Sequence, residues 1–130
     1  MKRVLFVCVH NSGRSQMAEA IFNHLADGRA VAESAGTEPG QAVNPNAVGV
    51  MLELGIDISG AKPKLLTQEM VDRADRVFTM GCSVEQSCPA LFLPQVEDWA
   101  LDDPAGQPLE KVREIRDRIA QRVRALLQEV

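Results

Sequence analysis

The start of the chain constrains the fold most, because the apolar run Val4–Val7 leads directly into a polar loop, CVHNSGRS, at residues 8–15. A continuous apolar run predicts a strand that is buried on both faces, which is typical of parallel sheets. We expect this strand over Lys2–Val9. After the loop, apolar residues recur at helical spacing and predict a helix from Ser15 to Leu25. The chain therefore opens with a buried strand, a polar loop and a helix.

Strands alternate with helices along the rest of the chain. The apolar patterns and the capping residues predict strands over Ala30–Ala35, Arg76–Met80 and Leu91–Val96, and helices from Asn44 to Gly55, from Thr67 to Val71 and from Leu109 onward. This alternation indicates an α/β three-layer sandwich, with helices flanking a four-stranded, mostly parallel sheet. Because 130 residues suffice for one core and not for two, we expect a single domain over residues 1–130.

The composition is that of a globular protein, with 45% hydrophobic and 25% charged residues. The net charge of −4 argues against nucleic acid as a partner. The basic start and the apolar run Val4–Val9 resemble a signal peptide, but the run is too short. No other stretch is apolar and long enough to cross a membrane. We therefore expect a cytoplasmic protein, monomeric by default, that binds neither a membrane nor nucleic acid.

In parallel α/β sheets, ligands bind at the carboxyl ends of the strands. Three segments should meet there: residues 8–15, residues 81–89 and residues 98–106. The three cysteines, Cys8, Cys82 and Cys88, all lie in the first two segments. In a cytoplasmic protein thiols start reduced, so reactivity, metal binding or simple packing must explain them.

The loop after the first strand has the features of an anion-binding site. Its backbone N–H groups and the N-terminus of the following helix can converge on one oxyanion, and Arg14 can donate two parallel hydrogen bonds to it. The same field favours a thiolate at Cys8. Ser15 can either cap the helix or donate a hydrogen bond to the Cys8 sulfur. The alternative is a buried, inert Cys8 with Arg14 on the surface. The expected oxyanion-binding residues are Val9, His10, Asn11, Ser12, Gly13, Arg14 and Ser15.

Four segments together resemble one family: CVHNSGRSQMAEA at 8–20, SAGT at 34–37, LGIDIS at 54–59 and DDPAG at 102–106. They are similar to the low-molecular-weight tyrosine phosphatase superfamily, and more closely to its arsenate reductase branch. The resemblance spans essentially the whole chain. It implies that Cys8 is the nucleophile and that Asp103 protonates the leaving oxygen, with Asp102 as the alternative acid.

The resemblance also implies how the electrons are supplied. Cys8 forms an arsenic adduct, Cys82 attacks the Cys8 sulfur and releases arsenite, and Cys88 then attacks Cys82 so that a Cys82–Cys88 disulfide remains. Thioredoxin is the expected electron donor, and arsenic detoxification the expected role. Phosphate and sulfate should compete with arsenate for the site.

Two other functions remain open. A low-molecular-weight phosphatase would hydrolyse a phosphocysteine at Cys8 instead of reducing a substrate. Phosphatase relatives, however, carry an aromatic pair beside the Asp-Pro sequence, whereas here Ala105 and Gly106 follow Pro104 and the chain contains no tyrosine. The third hypothesis is a thiol-based redox or metalloid sensor, since a cysteine trio can bind trivalent arsenic or a soft metal.

The chain departs from the family pattern at several positions. His10 replaces a small residue, Gly13 replaces a cysteine that many members carry, and the second and third cysteines are one residue closer together than in the best-known members. Some reductases of this branch bind potassium near the loop, and three of the ligand positions are matched here by Asn11, Glu19 and Ser34. The fourth position holds Lys64, whose ammonium can replace the cation. We therefore expect no metal and no cofactor.

Overall fold

A computed structural model describes residues 1–81 and 96–130. Cys82, Cys88 and the predicted strand residues Leu91–Gln95 lie outside the described residues. The described elements are β1 (Lys2–Cys8), α1 (Arg14–Ala26), β2 (Ala30–Gly36), α2 (Pro45–Leu52), α3 (Gln68–Arg73), β3 (Arg76–Thr79), β4 (Val96–Asp98) and α4 (Leu109–Leu127).

The strands form one four-stranded sheet in the order β2-β1-β3-β4. All three neighbouring pairs are parallel, and the pairing of β1 with β2 extends from Lys2 opposite Ala30 to Cys8 opposite Gly36. The carboxyl ends of the strands therefore meet at one edge of the sheet. The expected α/β class with a four-stranded parallel sheet is confirmed.

The side chains of β1 alternate between two buried faces. Val4, Phe6 and Cys8 belong to the larger core, which also contains buried residues of α1, α2 and α4. Leu5 and Val7 point to the opposite side and pack with Met70, Val71 and other residues around α3. Both faces of β1 are thus covered, which is why its sequence is continuously apolar rather than alternating.

The local capping signals position the short helices. Asn44 precedes Pro45, and its side chain accepts a 2.9 Å hydrogen bond from the backbone N–H of Asn46, so α2 begins where predicted. α2 ends at Leu52 rather than at Gly55, because the chain tightens into turns in which the N–H groups of Leu54 and Gly55 bond three residues back. Within residues 1–81 and 96–130, none of the helices is long and apolar enough to cross a membrane.

Candidate active site

Residues 8–15, called the anion loop below, connect β1 to α1 at the carboxyl edge of the sheet. The segment 38–44 runs beside this loop and binds three of its carbonyl groups. The N–H groups of Glu38, Gly40 and Asn44 donate to the carbonyl oxygens of Val9, His10 and Ser12 at 2.8, 2.9 and 2.7 Å. Because C=O and N–H point in opposite directions across a trans peptide, the N–H groups of His10, Asn11 and Gly13 face the other way, towards the centre of the loop.

The carboxyl end of β2 touches the outside of the anion loop at Gly36. A Cβ atom at this position would lie 2.5 Å from the carbonyl oxygen of Val9 and 3.0 Å from the backbone nitrogen of Asn11. Such distances are far inside van der Waals contact, so only glycine allows this approach. Gly36 therefore fixes how closely β2 supports the loop.

The sulfur of Cys8 has two hydrogen-bond partners at the base of the loop, where the residue is 4% exposed. The N–H of Asn11 lies 3.1 Å from this sulfur and the Ser15 hydroxyl oxygen 2.9 Å from it. Ser15 therefore contacts the sulfur instead of capping α1, whose N-cap is Gly13 and has no side-chain cap. Because no side chain caps α1, the backbone N–H groups of its first turn are available to bind an anion.

Arg14 is buried and is held by two backbone carbonyl groups. Its Nη1 donates to the carbonyl oxygens of Met80 and Leu101 at 3.0 and 2.8 Å. These bonds join the anion loop to the end of β3 and to residues 98–106, called the acid loop below. Nη2 lies 4.0 Å from Oδ2 of Asp103. The second amino group of the anchored guanidinium therefore lies beside Asp103, the carboxylate that the sequence predicts to be the general acid.

The two adjacent carboxylates of the acid loop have different partners. Asp102 forms a 2.9 Å ion pair with Lys111 of α4, and the hydrogen bond and charge of Lys111 lower the pKa of Asp102. Asp103 is exposed, and its Oδ1 accepts a 2.9 Å hydrogen bond from the N–H of Ala105. Asp102 is therefore held ionised by a lysine, whereas Asp103 is the carboxyl group near Arg14.

Close contacts hold the acid loop against the rest of the site. A Cβ atom on Gly13 would lie 3.1 Å from Cγ of Pro104, and one on Gly81 would lie 2.5 Å from the backbone nitrogen of Leu101. Gly81 also has a φ of +86°, which favours glycine. These contacts keep the acid loop directly across the pocket from the anion loop.

The two loops enclose a pocket of about 440 Å³. Its described lining consists of Cys8, Val9, His10, Ser12, Gly13, Arg14, Asn44, Gly81, Leu101, Asp102, Asp103, Pro104 and Ala105. The side chains of Asn11 and Ser15, two residues that the sequence assigns to oxyanion binding, lie behind the Cys8 sulfur instead of on the pocket surface. No Phe, Tyr or Trp is present among these lining residues.

A buried polar network extends behind the anion loop. The Asn11 side chain donates to the Ser15 hydroxyl oxygen at 2.7 Å, and its Oδ1 accepts from the backbone N–H of Lys64 at 2.9 Å. Nζ of Lys64 lies 2.9 Å from Oε1 of Glu19, which also accepts from the Ser34 hydroxyl at 3.1 Å. A potassium ion does not fit beside Glu19, because it would be repelled at short range by the ammonium already there.

The structure brings Asp103, which is distant in the chain, next to Cys8, Arg14 and Ser15 of the anion loop. Three contributors were not identified from sequence: Asn44, which lines the pocket, Gln16, which bonds to Asn11, and Lys111, which binds Asp102. Of these three, only Gln16 could have been recognised from the sequence, because it is a polar residue in the first turn of a helix that is buried there. In the described part of the chain, no group of three or more His, Cys, Asp or Glu side chains is placed to hold a metal ion.

Comparison with known proteins agrees with this geometry. The sequence profile of the low molecular weight phosphotyrosine protein phosphatases matches residues 3–130. The chain belongs to this family. Its expected resemblance to the arsenate reductases of the superfamily is also confirmed. A Synechocystis protein named glutaredoxin arsenate reductase is 40% identical over 133 residues, a match that covers 100% of this chain and 99% of that protein.

Solved structures of this enzyme family include both reductases and phosphatases. An arsenate reductase in its phosphate-binding state has a TM-score of 0.86 and 38% identity, with 100% of this chain and 99% of that chain covered. The Corynebacterium glutamicum thioredoxin-dependent arsenate reductase has a TM-score of 0.82 and 37% identity, with 99% and 61% covered. The YwlE arginine phosphatase of Geobacillus stearothermophilus has a TM-score of 0.87 but only 26% identity, with 99% and 92% covered. Backbone similarity is thus equally high for both classes, while sequence identity is higher for the reductases.

Proposed function

We propose that this protein reduces arsenate to arsenite through Cys8 in arsenic detoxification. The observation that carries the proposal is the pocket itself, in which the Cys8 sulfur lies below inward-facing N–H groups, Arg14 and Asp103. A thiolate placed in this way can attack the central atom of a tetrahedral oxyanion whose oxygens the loop and Arg14 hold. The relatives at 38–40% identity that are named arsenate reductases support arsenate as that oxyanion.

The first step is a substitution at arsenic. The Cys8 thiolate forms a bond to arsenic, one arsenic–oxygen bond breaks, and Asp103 delivers a proton so that the oxygen leaves as water. Arg14 and the loop N–H groups balance the negative charge on the remaining oxygens. Asp103 is the better candidate for the acid because its carboxylate lies beside Arg14, whereas the carboxylate of Asp102 is paired with Lys111 of α4.

The second step transfers two electrons. The Cys82 thiolate attacks the Cys8 sulfur, the arsenic–sulfur bond breaks with its electron pair remaining on arsenic, and arsenite leaves. Arsenic is reduced by two electrons while two thiols are oxidised to a Cys8–Cys82 disulfide. Cys88 then attacks Cys82, which frees Cys8 and leaves a Cys82–Cys88 disulfide. This relay order rests on the family resemblance.

We propose thioredoxin as the donor that reduces the Cys82–Cys88 disulfide. The thioredoxin-dependent Corynebacterium protein supports this choice, while the Synechocystis relative is named for glutaredoxin. Either donor works in a reducing compartment, which is consistent with action in the cytoplasm.

A second activity, hydrolysis of phosphate esters, is favoured by one observation. The 440 Å³ pocket is larger than a tetrahedral anion needs, so a substituted phosphate can enter it. The chemistry of attack by Cys8 is the same for both substrates. We expect this activity to be secondary, because no aromatic side chain among the described lining residues can stack on an aryl group.

The test compares the two activities in one preparation. Arsenate turnover is followed with thioredoxin, thioredoxin reductase and NADPH, and hydrolysis of an aryl phosphate is followed separately. We expect many turnovers of arsenate, weak hydrolysis of the ester, and loss of both in Cys8→Ser. Strong ester hydrolysis without arsenate-dependent NADPH oxidation would identify a phosphatase. Arsenic binding without steady turnover with either donor would identify a sensor.

A further inference from the structure

Two backbone groups determine which atoms donate and which accept in the buried hydrogen-bond network behind Cys8. The carbonyl oxygen of Lys62 can only accept, and it lies 3.0 Å from Nε2 of Gln16. The N–H of Lys64 can only donate, and it lies 2.9 Å from Oδ1 of Asn11. These two contacts fix which end of each side-chain amide faces which neighbour. Nε2 of Gln16 then donates its second hydrogen to Oδ1 of Asn11 at 3.0 Å.

The fixed amide of Asn11 decides where the proton of Ser15 lies. With Oδ1 turned towards Gln16 and Lys64, the Nδ2 group of Asn11 faces Ser15 and donates to its hydroxyl oxygen at 2.7 Å. The Ser15 hydroxyl therefore acts as acceptor towards Asn11 and directs its own hydrogen to the Cys8 sulfur, 2.9 Å away. If the Asn11 amide turned over, its oxygen would attract that hydrogen and the sulfur would lose a donor.

We propose that Gln16 is a positioning residue for the nucleophile, which acts through Asn11 and Ser15 to keep a hydroxyl donor on the Cys8 sulfur. Gln16 is 1% exposed and both of its donor hydrogens are used, so its orientation is well determined. Its side chain does not line the pocket. The inference rests on the proposed role of Cys8 and adds the residue that orients its hydrogen-bond partner.

The test measures how fast iodoacetamide alkylates Cys8 in the full-length protein, by mass mapping, at about pH 6 and about pH 9.5. A donor on the sulfur favours the thiolate, so Gln16→Met should slow alkylation about 3- to 10-fold at the lower pH and change it little at the higher pH. The effect is partial because Lys64 still donates to Asn11. Among the described residues, the charged and titratable groups around the sulfur stay unchanged: Arg14, His10, Asp102, Asp103 and the Glu19–Lys64 pair.

Asn23 supplies the matched control, because its amide also bridges α1 to another segment, through both backbone groups of Ala32. Asn23→Met should lower stability without changing the ratio of the two alkylation rates. In a Ser15→Ala background, Gln16→Met should have less than about a twofold further effect, because the two residues act in one chain of contacts.

The outcomes separate this inference from the proposed function. If wild-type Cys8 reacts rapidly at the lower pH and Gln16→Met reacts equally fast, the role of Gln16 is wrong while that of Cys8 stands. Additive effects of Gln16→Met and Ser15→Ala would also overturn it. If wild-type Cys8 is inert at both pH values, the proposed nucleophile itself is wrong.

Discussion

Asp102 and Asp103 are chemically identical neighbours, and the fold gives them different surroundings. Asp102 points to Lys111 of α4, and this lysine lowers its pKa. Asp103 points to Arg14 in the pocket. The family resemblance favoured Asp103 over Asp102, but the sequence offered no physical reason for the choice, because Lys111 and Arg14 become neighbours of the pair only when the chain folds.

The assignment predicts opposite results for two matched substitutions. Asp103→Asn should lower the rate of arsenate reduction by about 10²–10⁴-fold, the usual contribution of a positioned proton donor. Protection of Cys8 by phosphate should persist, because the anion loop and Arg14 remain. Asp102→Asn removes only the ion pair with Lys111 and should change the rate much less. The measurement is single-turnover arsenite release, and a larger loss in Asp102→Asn would move the acid by one residue.

The residues of the anion loop were easier to predict than those that support the loop. Cys8, Arg14 and Ser15 lie within one short loop, so their spacing carries information. Gln16 and Lys64 act through contacts with Asn11 that span 5 and 53 residues. No local pattern encodes the second contact, because it depends on how β2 and the segment after it return to the loop.

At the scale of elements, the anion loop depends on the end of β2. Gly36→Ala would place a methyl group 2.5 Å from the Val9 carbonyl oxygen, against backbone that cannot rotate away. We expect a loss of about 1–3 kcal/mol in the free energy of unfolding, together with weaker phosphate binding, because the loop itself must shift. Urea unfolding and phosphate titration measure the two effects.

Gly49 provides the control for this substitution. It lies inside α2, and a Cβ atom there would meet nothing within 4 Å. Gly49→Ala should therefore stabilise the protein by about 0.5–1 kcal/mol and leave phosphate binding unchanged. If Gly36→Ala also stabilised the protein and left phosphate binding unchanged, the inference that β2 approaches the anion loop this closely would be wrong.

The elements with strong local signals matched their predictions within a few residues. β1 was predicted from its continuous apolar run, and α2 from Asn44 followed by Pro45. The start of α1 was less clear because Ser15 looks like a capping residue. In the structure its hydroxyl is used by Cys8, and Gly13 precedes the helix instead. A functional contact thus overrides the ordinary capping rule at this position.

At the scale of the whole molecule, one carboxylate joins the end of α2 to α4. Glu53, just after α2, accepts hydrogen bonds from Arg113 and Arg116 of α4 at 2.6–3.0 Å. These bonds lower the pKa of Glu53. Since the folded-state pKa is depressed, the stabilisation is present above the unfolded-state value, about 4.3, and is lost as the pH falls through the folded-state value.

Glu53→Gln should therefore lower the melting temperature at neutral pH, and the difference from wild type should shrink as the pH falls below about 4. Glu110→Gln removes the same charge from the surface of α4, where no ion pair of Glu110 is present among the described residues. It should have a smaller effect at neutral pH. Thermal melts of both variants from pH 3 to pH 7 check these expectations. If the difference in melting temperature between Glu53→Gln and wild type grew towards acid pH, the predicted pH dependence would be wrong.

The proposed catalytic cycle requires Cys82 and Cys88 in addition to the described pocket. If these cysteines form the proposed relay, their replacements should fail differently. Cys82→Ser removes the thiol that attacks Cys8, so arsenite release should stop. Cys88→Ser leaves Cys82 able to attack once and should trap a Cys8–Cys82 disulfide. Aryl phosphate hydrolysis needs neither thiol and should survive both changes.

Single-turnover arsenite release combined with disulfide mapping tests this account most directly. We predict about one arsenite per enzyme from Cys88→Ser, with Cys8 and Cys82 joined, and none from Cys82→Ser. Full thioredoxin-coupled turnover by Cys88→Ser would contradict the relay and would mean that the donor reduces the Cys8–Cys82 bond directly.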